Sequence, residues 1–262
     1  MDIKFHVTSD GWLDRFTCAA CEKEIDEFVI PAKVGCKEVC SIGILYSSFS
    51  KLIDRGVERI KRVVIEDEIK EILDGAFAKI KIEIDEVHWP AQCERIPRDC
   101  FYNTPLKEIQ GINNVKKIGE SAFACTNLKT ITWPASCDEI PESCFYATPL
   151  EGIKGIDNVK KIGVSAFAYT ELKTITWPVN CERIPVDCFC RSNLEEIIFP
   201  SGEIRDIDLY DLAFSNVDIK KIDLSIVDAV NFIRGHSDVD YQKLYEEMKS
   251  ILKLPYYVTG LE

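Results

Sequence analysis

The sequence predicts a solenoid: a rod of stacked coils with a parallel β-sheet along one side and turns, 3-10 or short helical segments along the other. Three observations carry this. Phe101, Phe123, Phe145, Phe167 and Phe189 stand 22 residues apart. The same step relates Leu106 to Leu128, Leu150, Leu172 and Leu194, Ile109 to Ile131, Ile153, Ile175 and Ile197, and Ile96 to Ile118, Ile140, Ile162 and Ile184. Within a coil, L-x-x-I-x-W-P sets Ile and Trp two residues apart, the period of a strand that buries one face. A single coil of this length cannot cover its own apolar edge, so it must stack on neighbours.

Taken in order, residues 1–59 form an N-terminal cap with degenerate coils. There Ile25, Phe28, Pro31, Val34 and Phe49 fill the repeat slots, with an insertion between Val34 and Phe49. The solenoid proper spans 60–224, opening with Ile60, Val63, Ile69, Ile72, Ala76 and Phe77. Two coil types then alternate with a 44-residue period. One reads W-P-x-x-C-x-x-I-P-x-x-C-F, at Trp89, Trp133 and Trp177; the other reads G-I-x-N-V-K-K-I-G-x-S-A-F, at Gly111 and Gly155. Segments 106–149 and 150–193 agree at more than half their positions, the mark of a duplication. Phe214, Ile219 and Ile222 continue the pattern after three extra residues. About eight coils result, a rod of ~40 Å at the usual strand spacing. Beyond Ser225, Ile226, Val230 and Ile233 fit one short helix ending near Gly235. Asp238 caps a second, with a Leu244, Met248, Ile251, Leu252 stripe before Pro255. Residues 225–262 thus read as a helical C-terminal cap.

The order L-x-x-I-x-[WG]-P/I-x-x-[CV]-x-x-I-[PG]-x-x-[CA]-F is similar to the BspA-type leucine-rich repeats of microbial proteins, over 60–224 and more weakly 16–59. The expected architecture is then a leucine-rich-repeat solenoid, a right-handed superhelix of the α/β type. The resemblance implies protein binding, since such proteins include surface adhesins that attach to host matrix proteins. This chain departs from those adhesins in showing no export signal.

Composition narrows the function classes. With 46% hydrophobic and 29% charged residues the chain is that of a globular protein. A net charge of −12 argues against a nucleic-acid binder, which needs a basic face. The acidity belongs to the ends, because 106–193 holds 10 acids and 10 bases. No run approaches a membrane span, and Met1-Asp2-Ile3-Lys4-Phe5 is not the start of a signal peptide. As the chain stands a cytoplasmic location and a monomer are expected, with secretion or surface display if a leader has been removed.

Trp89, Trp133 and Trp177 fall at the second inward strand position and are read as core. Cys93, Cys137 and Cys181 share a phase with Val115 and Val159, and Cys100, Cys144 and Cys188 one with Ala122 and Ala166. A position that exchanges Cys for Val or Ala is a small buried hydrophobe. Cys18-x-x-Cys21 and Cys36-x-x-x-Cys40 have the look of the two ligand pairs of a structural zinc site. Reduced structural thiols and a disulfide are the alternatives. An enzyme is not expected: His6, His88 and His236 lie in separate regions, no phosphate loop or nucleophile elbow is present, and the carboxylates read as solvated loop residues.

The residues flanking the inward Ile point out of the sheet. They are Glu86 and His88, Glu108 and Gln110, Thr130 and Thr132, Gly152 and Lys154, Thr174 and Thr176, and Glu196 and Ile198. This row is the candidate face for a protein partner; a plain solvated sheet is its bland alternative. Lys116-Lys117 and Lys160-Lys161 belong to the return path. The leading reading is therefore a non-enzymatic protein-interaction scaffold. The alternatives are an interaction module with a structural zinc, or an exported adhesin.

The phase argument yields a stability prediction. Cys137→Val and Cys144→Ala should each cost no more than about 1.5 kcal/mol by urea denaturation, since neighbouring coils already carry those residues. A loss well above that would break the phase assignment.

Overall fold

The computed structural model describes residues 3–198 apart from Ala20, and beyond them Asp208, Leu209, Ala213, Phe214 and Val217. Eight strands make the front of the rod: Glu24–Ile30, Arg59–Ile65, Glu83–His88, Leu106–Gln110, Thr130–Thr132, Gly152–Lys154, Thr174–Thr176 and Glu196–Ile198. The first four pair as one parallel sheet and the last four as two parallel pairs, each in register. Ile25 faces Ile60, Ile60 faces Ile84 and Ile84 faces Leu106, while Phe28, Val63, Val87 and Ile109 form the second inward column. Farther along, Ile131 faces Ile153 and Ile175 faces Ile197. The first rung lies inside the N-terminal segment, so the front ladder crosses residue 59 without a break.

The return path is more ordered than turns. It carries a second row of mostly two-residue strands, paired in parallel in four groups: Trp12–Cys18, Ser41–Ile42 and Glu71–Ile72; Arg95–Ile96 and Lys117–Ile118; Glu139–Ile140 and Lys161–Ile162; Arg183–Ile184 and Asp208–Leu209. Leu13 faces Ile42, Ile42 faces Ile72, Ile96 faces Ile118 and Ile140 faces Ile162. Helical structure among the described residues is limited to Tyr46–Ile53 and the 3-10 turn Ile112–Asn114. Residues 225–262, expected as a helical cap, lie outside the described residues. The N-terminal end of the back ladder is closed by Ile3–Val7, antiparallel to Trp12–Cys18 with Phe5 opposite Phe16.

One slot is corrected. Val34 does not fill the slot of Ile69 and Cys93; it sits in a small antiparallel hairpin, Lys33–Val34 with Lys37–Glu38. Buried Val39 holds that slot, three residues before Ile42 as Ile69 is before Ile72, so the insertion precedes it. The helix Tyr46–Ile53 then carries Phe49 into the aromatic core, 6.4 Å from Phe77.

A third ladder runs along the turns. Phe77, Phe101, Phe123, Phe145, Phe167 and Phe189 each donate their N–H to a carbonyl of the next coil, at 2.9–3.1 Å. The residues two before and two after do likewise, as with Asp99 to Glu120 and Asn103 to Ala124, both 2.9 Å. The price is backbone strain, for Asp99, Asn103, Ser121, Cys125, Ser143 and Ala147 all have φ between 52° and 56°. A left-handed L-residue costs ~1–2 kcal/mol. Alternating it with right-handed neighbours turns every second N–H along the rod axis. The intervening N–H groups close locally, as Tyr102 does on Asp99 at 3.1 Å.

Inside, the phenylalanine rings from Phe77 to Phe214 stack at 5.5–5.9 Å with planes within 16°. Trp89, Trp133 and Trp177 meet this column edge-on at 5.9–6.1 Å. Each indole N–H donates to the carbonyl of Cys93, Cys137 or Cys181 at 2.9–3.1 Å, so none of the three is stranded. A buried hydroxyl series, Thr104, Thr126, Thr148, Thr170 and Ser192, stands three residues after Phe101, Phe123, Phe145, Phe167 and Phe189. Thr104 and Thr148 reach back to the carbonyls of Phe77 and Phe123, whereas Thr126 and Thr170 bond within their own coils. Its 22-residue step is legible in the sequence, though a search for apolar slots does not single it out.

The glycines of the alternate coils are held by close backbone approach. Gly111 has φ 80°, and a Cβ there would lie 2.6 Å from the Trp89 carbonyl oxygen. At Gly163 a Cβ would fall 2.3 Å from the Glu142 nitrogen and 2.7 Å from the Pro141 carbonyl carbon. Gly163→Ala should therefore cost about 3 kcal/mol or more in urea denaturation, because backbone has to move. Gly152→Ala, whose new carbon would meet nothing closer than the Thr130 methyl at 3.9 Å, should change stability by less than about 1 kcal/mol. Equal losses at the two sites would contradict the packing of the alternate coils.

Candidate functional site

The front ladder places the whole expected row on one surface. Glu86 and His88 are half-buried; Glu108, Gln110, Thr130, Thr132, Lys154, Thr174, Thr176, Glu196 and Ile198 are exposed. Register sets them side by side: Glu108 with Glu86, Gln110 with His88, Thr132 with Lys154, Thr174 with Glu196 and Thr176 with Ile198.

The surface has two regions of different chemistry. Toward the N-terminal end, charges are bound to one another across strands. Arg62 lies 3.7 Å from Glu27 and 3.1 Å from Glu86, and Lys61 lies 2.6 Å from Asp26. Asp85 sits between Arg59 at 2.6 Å and Lys107 at 3.0 Å, and Lys107 also reaches Glu83 at 2.5 Å. The cause is geometric. In-register parallel strands set equivalent side chains ~4.8 Å apart, so like charges would repel and opposite charges attract. Read two residues before the inward position, the column is Asp26, Lys61, Asp85, Lys107, Lys129, Glu151, Lys173 and Glu195. These carboxylates, expected as scattered loop residues, belong instead to an ordered lattice.

Toward the middle the face is neutral and unengaged. Thr130, Thr132, Thr174, Thr176 and Lys154 make no side-chain hydrogen bond or ion pair among the described residues. Gly152 leaves a shallow step between the two threonine pairs. This region offers hydroxyls, methyls and one ammonium without internal partners. Glu108 and Gln110 mark the border between the two regions and bond to each other through their side chains.

The remaining candidates are not brought together into a reactive centre. His6 pairs with Asp14 at 2.6 Å near the N-terminus, and His88 stands 4.0 Å from Asp67 on the front face. Burial pushes the Cys100, Cys144 and Cys188 thiols well above the ordinary thiol value, and Cys137 to about 12. Such thiols stay protonated and are poor nucleophiles. Cys18 and Cys21 are joined in a disulfide, while Cys36 and Cys40 are exposed free thiols. Cys40 donates its N–H to the Gly11 carbonyl, beside the start of strand Trp12–Cys18, and Cys18 ends that strand. At ~3.3 Å per residue the two cysteine pairs are therefore held ~20 Å apart. The structure does not assemble Cys18, Cys21, Cys36 and Cys40 as one ligand set, and no metal-sized cluster of His, Cys, Asp and Glu occurs among the described residues. Lys117 and Lys161 lie on back strands. Lys161 contacts Glu139 at 2.6 Å, Lys160 contacts Asp138 at 3.2 Å and Lys116 contacts Glu94 at 2.7 Å.

Comparison with known proteins adds the following. The family model for the BspA type leucine rich repeat region matches six copies, over residues 55–171 and 160–236. Among solved structures, a leucine rich cell surface protein from Faecalibacterium prausnitzii A2-165 is similar, with a TM-score of 0.56 and 24% identity over 78% of this chain. This chain spans 55% of that protein. A leucine-rich repeat protein from Bacteroides ovatus ATCC 8483 matches with a TM-score of 0.41 and 19% identity, over 87% of this chain and 76% of its own. The leucine-rich repeat protein of T. pallidum gives 0.40 and 18%, over 75% of this chain and 82% of its own. No curated protein matches the sequence. Among the described residues no helix is long and apolar enough to cross a membrane.

The charge lattice generates a prediction in pH. Burial works to raise the Asp85 carboxyl, but hydrogen bonds and charge from Arg59 and Lys107 outweigh it and hold the group below its ordinary value. A depressed carboxylate stabilises the fold at neutral pH and loses that contribution as pH falls through and below the ordinary carboxylate range. Asp85→Asn should therefore cost about 1 kcal/mol near neutral pH. In urea titrations the gap to wild type should narrow steadily on acidification. A gap that widens in acid would have the wrong sign.

Proposed function

The chain belongs to the BspA-type leucine-rich repeat family, and from that premise we propose that it is a non-enzymatic scaffold that binds a protein partner through the middle of its front sheet. The observation that carries this reading is the contrast along that sheet. Glu27, Arg62, Asp85, Glu86 and Lys107 are engaged with one another, whereas Thr130, Thr132, Lys154, Thr174 and Thr176 have no partner among the described residues. A surface whose polar groups are already paired gives up those pairs on binding; one whose groups meet only water exchanges solvent for partner at lower cost. Paired strands beneath the region hold its side chains at fixed spacing.

Several features support a binding role over a chemical one. The matched family is a repeat family, the Cys100, Cys137, Cys144 and Cys188 thiols are masked by burial, and the carboxylates nearest the face are neutralised by lysine and arginine. Solenoids present extended surfaces, and their partners are recognised over area rather than in a deep pocket. Because the similar F. prausnitzii protein is described as a cell surface protein, the search for partners includes extracellular proteins, host matrix proteins among them, as well as cytoplasmic ones.

The test is a double change, Thr132→Arg with Thr176→Arg. The sites are two coils apart on one face, ~10 Å by strand spacing, within a footprint of ~800 Å² per partner. Both side chains are exposed, so stability should shift by no more than about 0.5 kcal/mol each. A partner recovered by cross-linking from the source cells should be lost in this variant and retained with Lys117→Glu on the back strands. Binding that survives the threonine changes and fails with Lys117→Glu would move the site to the back face.

A further inference from the structure

The back face changes character toward the C-terminal end of the repeats. Two residues past the inward isoleucine, successive coils carry Arg98, Glu120, Glu142, Val164 and Val186. Arg98 and Glu120 pair at 3.5 Å, and Glu142 is exposed. Val164 is 39% exposed, in the slot where the duplicated unit one copy earlier has a carboxylate. Val164 and Val186, with Pro141 and Pro185, floor an open groove of about 860 Å³ whose rim includes Glu142, Lys160 and Lys161. The two copies of the duplicated unit differ here in one direction, from charge to hydrocarbon on a solvent face. That is what a surface looks like when something covers it.

The chain carries a segment of fitting chemistry. Forty-five residues follow Val217 (262 − 217), the last described position. Within them Leu244, Met248, Ile251 and Leu252 recur at the spacing of one apolar helical stripe, flanked by a balanced set of charges, Lys243, Lys249 and Lys253 with Asp240, Glu246 and Glu247. The groove offers an apolar strip along its floor between charged walls of both signs, and on the rim Glu142, a carboxylate with no ion pair among the described residues. Reach is no obstacle, since the 27 residues from Val217 to Leu244 can span up to ~90 Å and the groove lies within a few coils.

We propose that residues 240–254 dock on the back-face groove of the same chain, laying Leu244, Met248, Ile251 and Leu252 over Val164 and Val186. The docked segment covers the flank of the last coils as well as lengthening their shared core. It leaves the front sheet open, so this proposal and the partner-binding reading stand or fall separately.

The experiment is amine cross-linking of the full-length protein in dilute solution, with peptides identified by mass spectrometry. The expected products join Lys160 or Lys161 to Lys243, Lys249 or Lys253. Mixing 15N-labelled with unlabelled protein before cross-linking should give these products within single chains only. Val164→Glu with Val186→Glu restores the type of residue found in earlier coils and should reduce the products by about tenfold. Ile251→Glu with Leu252→Glu should do the same from the segment's side without touching the solenoid, which keeps the test decisive if the valine variant folds poorly. Thr132→Arg with Thr176→Arg should leave them unchanged. Absence of the products in wild type, their persistence in the Ile251/Leu252 variant, or mixed-isotope products would overturn the proposal, the last by making a second copy the occupant.

Discussion

Stacking in register is the constraint on which the rest of this structure depends. A continuous ladder of turn-side hydrogen bonds, reinforced by front and back strand pairs at some of the interfaces, fixes the coils over one another. This stacking leaves each side chain ~4.8 Å from its counterpart in the next coil. What a position can hold is decided by whether it tolerates its own neighbour. Phenylalanine does, because offset rings gain from parallel stacking, and the column from Phe77 to Phe214 is the outcome. Isoleucine and leucine do, as the inward columns show. Like charges do so only at a cost, as at Glu86 beside Glu108 and Arg95 beside Lys117, and tryptophans stand only in alternate coils.

The 44-residue period follows from those preferences. A tryptophan coil stacks on a glycine coil, and Gly111 and Gly155 bring their backbone against Trp89 and Trp133 at distances no side chain would permit. The Ile-Pro corner of one coil meets the Ile-Gly corner of the next, with Gly163 against Pro141. Asp138 lies under Lys160, Glu139 under Lys161 and Glu94 under Lys116. Each of these surface pairs is worth little in isolation. Their consistent sign is what matters, since the same positions filled with like charges would add repulsion at every rung.

Much of this was legible in the sequence. Constant phase identified the inward columns, the outward row and the buried thiols, because each depends on a periodicity that survives without coordinates. Three features were not. The back strands Lys117–Ile118 and Lys161–Ile162 are two residues long, too short for any alternation to register as strand. The charge lattice around Asp85 joins residues 22 to 35 positions apart, and only the register of Ile25, Ile60 and Ile84 reveals that they are neighbours. The cysteines at 18, 21, 36 and 40 have a ligand-like spacing, yet Trp12–Cys18 is extended and carries the two pairs apart. Spacing predicts proximity only where the intervening chain is known to fold back.

The alternation also sets a parity on how such a chain can lengthen or shorten. Adding or removing two coils leaves every interface of the Trp–Gly, Pro–Gly and acid–base kinds intact, as the relation between 106–149 and 150–193 illustrates. Removing one coil would set Gly119 against Gly163 and Lys116 against Lys160. Two glycine corners would then leave a gap where one proline corner had filled it, and two ammonium groups would share a site built for an ion pair. Growth by even steps is thus open to this lineage, while odd steps require several compensating changes at once. Exposed area on the front sheet is correspondingly gained or lost in units of two strands.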